Sequence, residues 1–202
     1  SSGEPEAVLT GKAHRVGVKG SEPAFVEFRL RNAEPMKVVG PIDSHGIASE
    51  VVCDYLKGRR LRIDAVGHRF VHGGRHFSES VVVDELILRD LRTCSSLAPI
   101  HNPVSLSVLD KARAVFPGAT HFATFDTAFH ASIPPRAFTY ALPRDVVARY
   151  GFRKFGFHGL SYQYVSQEVR RCLGETPAGL KMIVCHLGTG GSSVCAIRDG
   201  RS

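Results

Sequence analysis

Polar residues gather at the ends of apolar stretches in four places along this 202-residue chain: GHRFVHGG at 67–74, LAPIHNP at 97–103, FDTAFH at 125–130 and FGFHG at 155–159. A fifth stretch, CHLGTGGSS at 185–193, reads as a strand, a glycine-rich turn and a second strand. Gly188, Gly190 and Gly191 carry no side chain to block an approaching ligand, and their N–H groups can turn toward a phosphate as a nest. No Lys-Ser or Lys-Thr pair follows, so this is not a Walker loop. Nor does it open a helix, as a dinucleotide fingerprint would. A plain tight hairpin explains the same glycines.

Arg69 sits in an otherwise apolar strand, where a guanidinium needs an anionic partner or a water-filled cleft. It suits a carboxylate or phosphate oxygen, which its planar fork can grip with two bonds. A structural ion pair, with Asp126 as one candidate partner, is the other reading. Asp126 ends a buried strand and could equally cap the turn that follows. Spacing does not separate His101, His130, His158 and His186 from satisfied core histidines. His68, His72 and His76 recur every four residues, a metal-binding pattern on a helix. Here the segment reads as strand and Gly-Gly turn, so no metal site is expected.

These residues need elements to hold them. Alternation and turn residues predict strands at 7–16 and 24–30, the second from AFVEFRL. An amphipathic helix is predicted over 45–57, with Ile47, Val51, Val52 and Tyr55 on its apolar face. A strand follows over 61–71, then a helical segment over 84–93. Asn102-Pro103 predicts a helix start, with Asn at the cap and Pro in the first turn, running to about Phe116. THFATF at 120–125 predicts a buried strand, and Pro134, Pro135 and Pro143 mark an irregular stretch. A helix over 159–173 closes at Gly174. LKMIVCHL at 180–187 is continuously apolar, which suits a sheet interior, and SSVCAIR forms the next strand. Strands alternating with helices give an α/β class, and the hairpin at each end makes the sheets mixed.

Composition narrows the function classes. Hydrophobic residues make up 43% and charged ones 22%, as in an ordinary globular protein. No apolar run is long enough to cross a bilayer. The start, SSGEPEAVLTG, lacks the parts of a signal peptide and points to a tag remnant or a trimmed end. Cys53, Cys94, Cys172, Cys185 and Cys195 are odd in number and widely spaced. They read as small buried residues of a protein kept in a reducing cytoplasm. The net charge is +7, and the only dense basic run is Lys57-Gly58-Arg59-Arg60-Leu61-Arg62, which reads as a solvated helix end. There is no basic stripe interleaved with aromatics, so neither nucleic acid nor membrane is an expected partner.

In this order and register, GHRFVHGG, LAPIHNP, FDTAFH, YGFRKFGFHG and CHLGTGG resemble the acetate kinase family. The resemblance runs from about residue 60 onward and is loose before that. It implies actin-like ATPase lobes with a ribonuclease H-like topology: mixed sheets flanked by helices, two lobes and a nucleotide in the cleft. Residues 1–130 would form an N-terminal lobe lacking its first strand, and 131–202 the start of a nucleotide-binding lobe. A full chain about twice this length is implied, so this piece would turn over little by itself.

The resemblance implies that Arg69 contacts the carboxylate and the transferring phosphoryl group, and that His158 and His101 are active-site histidines. It implies an apolar pocket of Val71, Ile100 and Phe157 for the substrate methyl, a catalytic Asp126, and a phosphate-contacting run of His186, Leu187, Gly188, Thr189 and Gly190. Thr189 stands where the family usually has Asn. Gly159-Leu160-Ser161-Tyr162 departs from the commoner GTSH. The implied reaction moves the γ-phosphoryl of ATP to acetate with Mg²⁺ and gives ADP and acetyl phosphate, in a cytoplasmic homodimer. A carboxylate nucleophile is already ionised at neutral pH and needs no general base. Asp126 is therefore expected to hold Arg69 or to orient water on Mg²⁺. The rival readings are a propionate or butyrate kinase of the same family, a non-catalytic anion-binding lobe, and a basic nucleic-acid binder.

Overall fold

The computed structural model describes residues 6–20, 22–174, 178–188 and 190–202. In chain order its elements are β1 (Leu9–His14), β2 (Phe25–Leu30), β3 (Met36–Val39), α1 (His45–Gly58), β4 (Ala65–Phe70), β5 (Val81–Val82), α2 (Glu85–Thr93), α3 (Asn102–Val115), β6 (Thr120–Phe125), α4 (Pro135–Phe138), α5 (Arg144–Tyr150), α6 (Gly159–Leu173), β7 (Lys181–Gly188) and β8 (Gly191–Arg198). Short 3-10 turns lie at Cys94–Leu97 and Ala128–Ser132. The chain divides into two compact units, residues 1–66 with 104–120, and residues 67–103 with 121–202.

The first unit carries an antiparallel meander in the order β1-β2-β3. The alternation in AFVEFRL works as expected, since Val26 and Phe28 point inward and pack with Ile42 and Ala48. Ser44 caps α1 by accepting the N–H of Ile47 at 3.2 Å. The expected face of α1 packs on this cluster through Val51, Val52 and Tyr55, with Ala48, Ser49 and Cys53 buried beside it, and Ile47 lies outside. Tyr55 stacks on Phe28 with ring centroids 3.9 Å apart. Lys111 on α3 pairs with Glu50 on α1 at 2.6 Å. Residues 61–64 lie outside any strand, so the expected 61–71 strand shortens to β4.

The second unit has a sheet in the order β4-β6-β5. The N–H of Asp126 binds the carbonyl of Phe70 at 3.0 Å, and that of Thr120 binds Asp64 at 2.9 Å. Both partner numbers rise together, so β4 and β6 run parallel, while β5 pairs β6 antiparallel. The sheet is mixed, as the sequence implied. β6 alternates, with His121, Ala123 and Phe125 buried and Phe122 exposed, so it is half-buried and not fully enclosed. Phe77 stacks on Phe125 at 4.6 Å, and Phe70 lies 5.8 Å from Phe125.

The proline-rich stretch is not irregular throughout. Pro134 and Pro143 immediately precede α4 and α5, where a fixed φ suits the entry to a helix. The β7–β8 hairpin corrects a second expectation. Val184, Cys195 and Ile197 pack with Tyr162 of α6, but Ile183, Leu187 and Val194 on the opposite face are 69%, 81% and 66% exposed. Its two strands form a sheet of their own, with one face open. All five cysteines are unpaired; Cys172 and Cys185 are exposed, contrary to the buried role expected of each. No helix among the described residues is long and apolar enough to cross a membrane.

Candidate functional site

β4 ends at Phe70 and β6 at Phe125, so Arg69 and Asp126 come out at neighbouring parallel strand ends. Asp126 is buried. It accepts from Arg69 Nε at 3.0 Å and from Nη2 at 2.6 Å. The arginine, 58% exposed in its side chain, is thus fixed from behind by a two-point grip. This hydrogen bonding raises the guanidinium pKa above its ordinary value, outweighing the opposing effect of burial. Of the two roles open to Arg69 in sequence, the pairing with Asp126 is present, and the remaining donor edge faces a cavity.

The strand end is held by Asn102, which is fully buried. Its Oδ1 accepts the N–H groups of Val71 and His72 at 3.2 and 3.3 Å. Its Nδ2 donates to the carbonyls of His72 and Cys94 at 2.8 and 2.9 Å. The side chain expected to cap α3 instead ties 71–72 to the Cys94–Leu97 turn, and α3 begins at Asn102 itself.

His158 stands just before α6 with φ +59°, in the left-handed region. No side chain caps this helix. The N–H of Gly159 instead donates to the carbonyl of Asp126 at 3.0 Å. A Cβ at residue 159 would lie 2.0 Å from that oxygen, so only glycine permits the approach. Gly156 has φ +78° and its missing Cβ would meet the ring of His130 at 2.6 Å. The glycines of FGFHG are therefore required by contacts with FDTAFH.

One cavity of about 600 Å³ collects most of the residues singled out from the sequence. Arg69, Val71, His101, Asp126, Phe157, His158, His186 and Gly190 line it. Leu97, Ala98, Leu160 and Ser161 line it too and were not expected; Leu97 and Ala98 lie within the LAPIHNP stretch that flagged the region. Ile100 is not in the lining and is 79% exposed. Leu187 and Gly188 are exposed hairpin residues outside the lining, and Gly188 pairs with Gly191 to close the hairpin. Thr189 lies outside the described residues. The hairpin reading of the glycines holds, with Gly190 still reaching the cavity.

The histidines separate by environment. His130 is buried; its Nε2 donates to the carbonyl of Phe157 at 3.0 Å, and burial lowers its pKa. Burial likewise lowers His72, whose Nδ1 accepts the N–H of Gly74 at 2.9 Å. His68 Nε2 lies 3.0 Å from His121 Nδ1, and burial with that neighbour holds it at about 4. His158 and His186 stack with centroids 4.3 Å apart. His158 Nδ1 lies 2.7 Å from Ser193 Oγ, and His186 Nδ1 lies 3.0 Å from Ser161 Oγ. Among the described residues no group of three or more His, Cys, Asp or Glu side chains is gathered as a metal site.

The cavity combines one anchored guanidinium, imidazoles on two sides and a small apolar wall. That set can hold a short carboxylate by its charge and its alkyl end, and can neutralise an anion beside it.

A sequence model of the Acetokinase family matches residues 6–202. An acetate kinase of Clostridium kluyveri is 40% identical over 207 residues, covering 98% of this chain and 50% of that protein. An acetate kinase of Bacteroides fragilis is 39% identical over 203 residues, covering 97% and 50%. Among solved structures, an acetate kinase from Entamoeba histolytica aligns with a TM-score of 0.82 at 40% identity, covering 96% of this chain and 47% of its own. A propionate kinase from Francisella tularensis aligns with a TM-score of 0.85 at 32% identity, covering 97% and 50%. The chain spans about half the length of the curated relatives it matches. Its α/β architecture of mixed sheets and helices is theirs, and the chain belongs to the acetokinase family.

Proposed function

We propose that the protein carrying this chain transfers the γ-phosphoryl group of ATP to acetate, giving ADP and acetyl phosphate, and runs the reverse reaction. The observation that supports this best is the junction of Arg69 and His158 on one cavity with the small apolar wall of Val71 and Phe157. The acceptor arrives ionised, so catalysis rests on alignment and charge neutralisation rather than proton removal. Arg69 orients the carboxylate and meets the equatorial oxygens of the moving phosphoryl group. His158 donates to the same oxygens, and His101 stands at the cavity wall. Val71 and Phe157 take the methyl group, while Ile100 lies too far out to share that role in this conformation. His186 and Gly190 fall on the nucleotide side, and Thr189, outside the described residues, belongs to the same proposed phosphate-contacting run.

Asp126 acts through Arg69. Each of its oxygens accepts one hydrogen bond from that guanidinium, which supports a holding role, and because the acceptor substrate is already ionised there is no proton for Asp126 to abstract in this reaction. Among the described residues no three His, Cys, Asp or Glu side chains gather where they could hold the Mg²⁺ that accompanies ATP, and no step here runs through it. The proposed reading includes a cytoplasmic homodimer without nucleic-acid or membrane partners. It also includes a lobe boundary near residue 130, between 1–130 and 131–202; the compact units divide the chain elsewhere.

A sibling substrate remains within the same reading, because a propionate kinase aligns as well as the acetate kinases do. One methylene changes binding by only ~1–3 kcal/mol, so activities on the two acids should overlap. The test is acyl phosphate formation, trapped as hydroxamate, from ATP and acetate, propionate or butyrate, in the longest protein that carries this chain. Acetate is expected to give the highest kcat/KM. No acyl phosphate from any of the three acids would overturn the proposal. Asp126→Asn should retain more turnover than Asp126→Ala; equal and total loss in both would show that Asp126 acts directly on the reaction.

A further inference from the structure

Tyr162 and Ser193 have no part in the reading so far, yet they meet behind His158. Ser193 Oγ lies 2.7 Å from His158 Nδ1 and 2.5 Å from the hydroxyl of Tyr162. Tyr162 is 1% exposed and belongs to the core cluster with Val184, Cys195 and Ile197. It sits one turn into α6, and its N–H donates to the carbonyl of His158 at 3.2 Å. Ser193 is on β8, on the same strand face as Cys195 and Ile197, which packs against α6. Two rigid elements thus converge on one ring nitrogen.

We propose that Tyr162 and Ser193 form a relay that fixes the tautomer and the aim of His158, keeping the proton on Nε2, the nitrogen that no other described group binds. They are positioning residues, and their role rests on the proposed function of His158. A serine hydroxyl has one proton to give and lone pairs to receive. In this relay the Tyr162 phenol, the more acidic of the two hydroxyls, donates to Ser193 Oγ, so Ser193 turns its own proton toward His158 Nδ1. With Nδ1 accepting, a neutral imidazole carries its proton on Nε2. That is the tautomer able to donate to an anionic oxygen in the cavity. A bare Nε2 lone pair would instead repel such an oxygen. The stacking of His186 on the same ring limits its sideways swing. The backbone at His158 is in the left-handed region and imposes no helical direction on the side chain, so the relay supplies the aim that the helix does not.

The test uses the longest protein that carries this chain, labelled with ¹⁵N-histidine. Two-bond ¹H–¹⁵N spectra at neutral pH distinguish the two tautomers, and the His158 signals are those lost in His158→Gln. The parent should show Nε2–H alone. Ser193→Ala should give a mixture, Tyr162→Phe a smaller admixture, and Ser193→Thr should restore the parent pattern. In the phosphoryl-transfer assay, Ser193→Ala should lower kcat by ~10- to 100-fold with little change in the KM for acetate, as loss of a group that orients a catalytic imidazole does. Ser193→Thr should recover most of it. An Nδ1–H or mixed tautomer in the parent overturns the relay, and so does an unchanged spectrum in both Ser193→Ala and Tyr162→Phe. The parent spectrum decides even if a variant fails to fold. Absence of phosphoryl transfer by the parent would retire the proposed function, while the spectra would still judge the relay.

Discussion

Two strand ends in the second unit follow opposite rules. Around Arg69 and Asp126, polar groups are buried and paired: the carboxylate has its guanidinium, and Asn102 makes four hydrogen bonds. The β7–β8 hairpin is half finished. Its inner face packs on α6, and its outer face leaves Ile183, Leu187 and Val194 to solvent. The first region derives its rigidity from side chains that have no alternative partner, because a buried polar group released from its bond costs more than the bond contributes. The second derives its order from backbone pairing and one apolar face. Substitutions should therefore be costly in the first region and nearly silent on the open face of the second.

The largest effect is expected at Arg69. Arg69→Ala should reduce turnover by ~10²–10³-fold, the typical loss on removing one preorganised charge-stabilising donor. Steady-state kinetics would measure it, and near-normal turnover would remove Arg69 from the reaction. Next comes Asn102→Ala, which orphans the amides of Val71 and His72 and the carbonyls of His72 and Cys94 at a fully buried position. It should cost about 3 kcal/mol in urea unfolding, from several unsatisfied groups at once. A loss below half of that would mean water replaces the side chain there.

Acid should act in the same region. His68 is held at about 4 in the folded chain, whereas a free histidine titrates near 6.5. The unfolded chain therefore takes up the proton first. The contribution is fully present above ~6.5 and is lost as pH falls from there toward 4. The melting temperature of the parent should drop across that window more than that of His68→Gln, which keeps a hydrogen-bonding partner for His121. Parallel curves would count against a neutral buried His68. The smallest effect is expected on the open hairpin face, where Leu187→Ser in this chain should shift stability by no more than ~0.5 kcal/mol. A large loss would show that the face is not open in solution.

Much of the candidate site was legible because it sits in short stretches that combine glycine, histidine and arginine at strand ends, and these came together as the order of elements implied. What the sequence hid falls into three kinds. The apolar run LKMIVCHL looked like a sheet interior, but an apolar run does not say how many neighbours will cover it. The histidines looked alike because burial, not spacing, distinguishes the satisfied His130 from His158 at the cavity. Asn102 looked like a helix cap because caps are local, whereas its partners lie about thirty residues away at Val71 and His72. Tyr162 and Ser193 were invisible for the same reason, being joined only by a contact 31 residues apart. Ile100 shared a promising stretch with Leu97 and Ala98, yet the turn that brings those two to the cavity points Ile100 to solvent.

The grip of Asp126 on Arg69 has a consequence for how an anion finds this site. One positive and one negative charge 2.6 Å apart cancel at a distance, so beyond a Debye length of roughly 8–10 Å the pair exerts almost no pull. What it offers is contact: the Nε–Nη2 edge is spent, and the donors on the far end of the guanidinium remain, already aimed. A small carboxylate would be recognised on arrival rather than drawn in from afar. Its capture at this point should depend on fit and vary little with ionic strength, while any long-range attraction must come from the rest of the chain's surplus of positive charge.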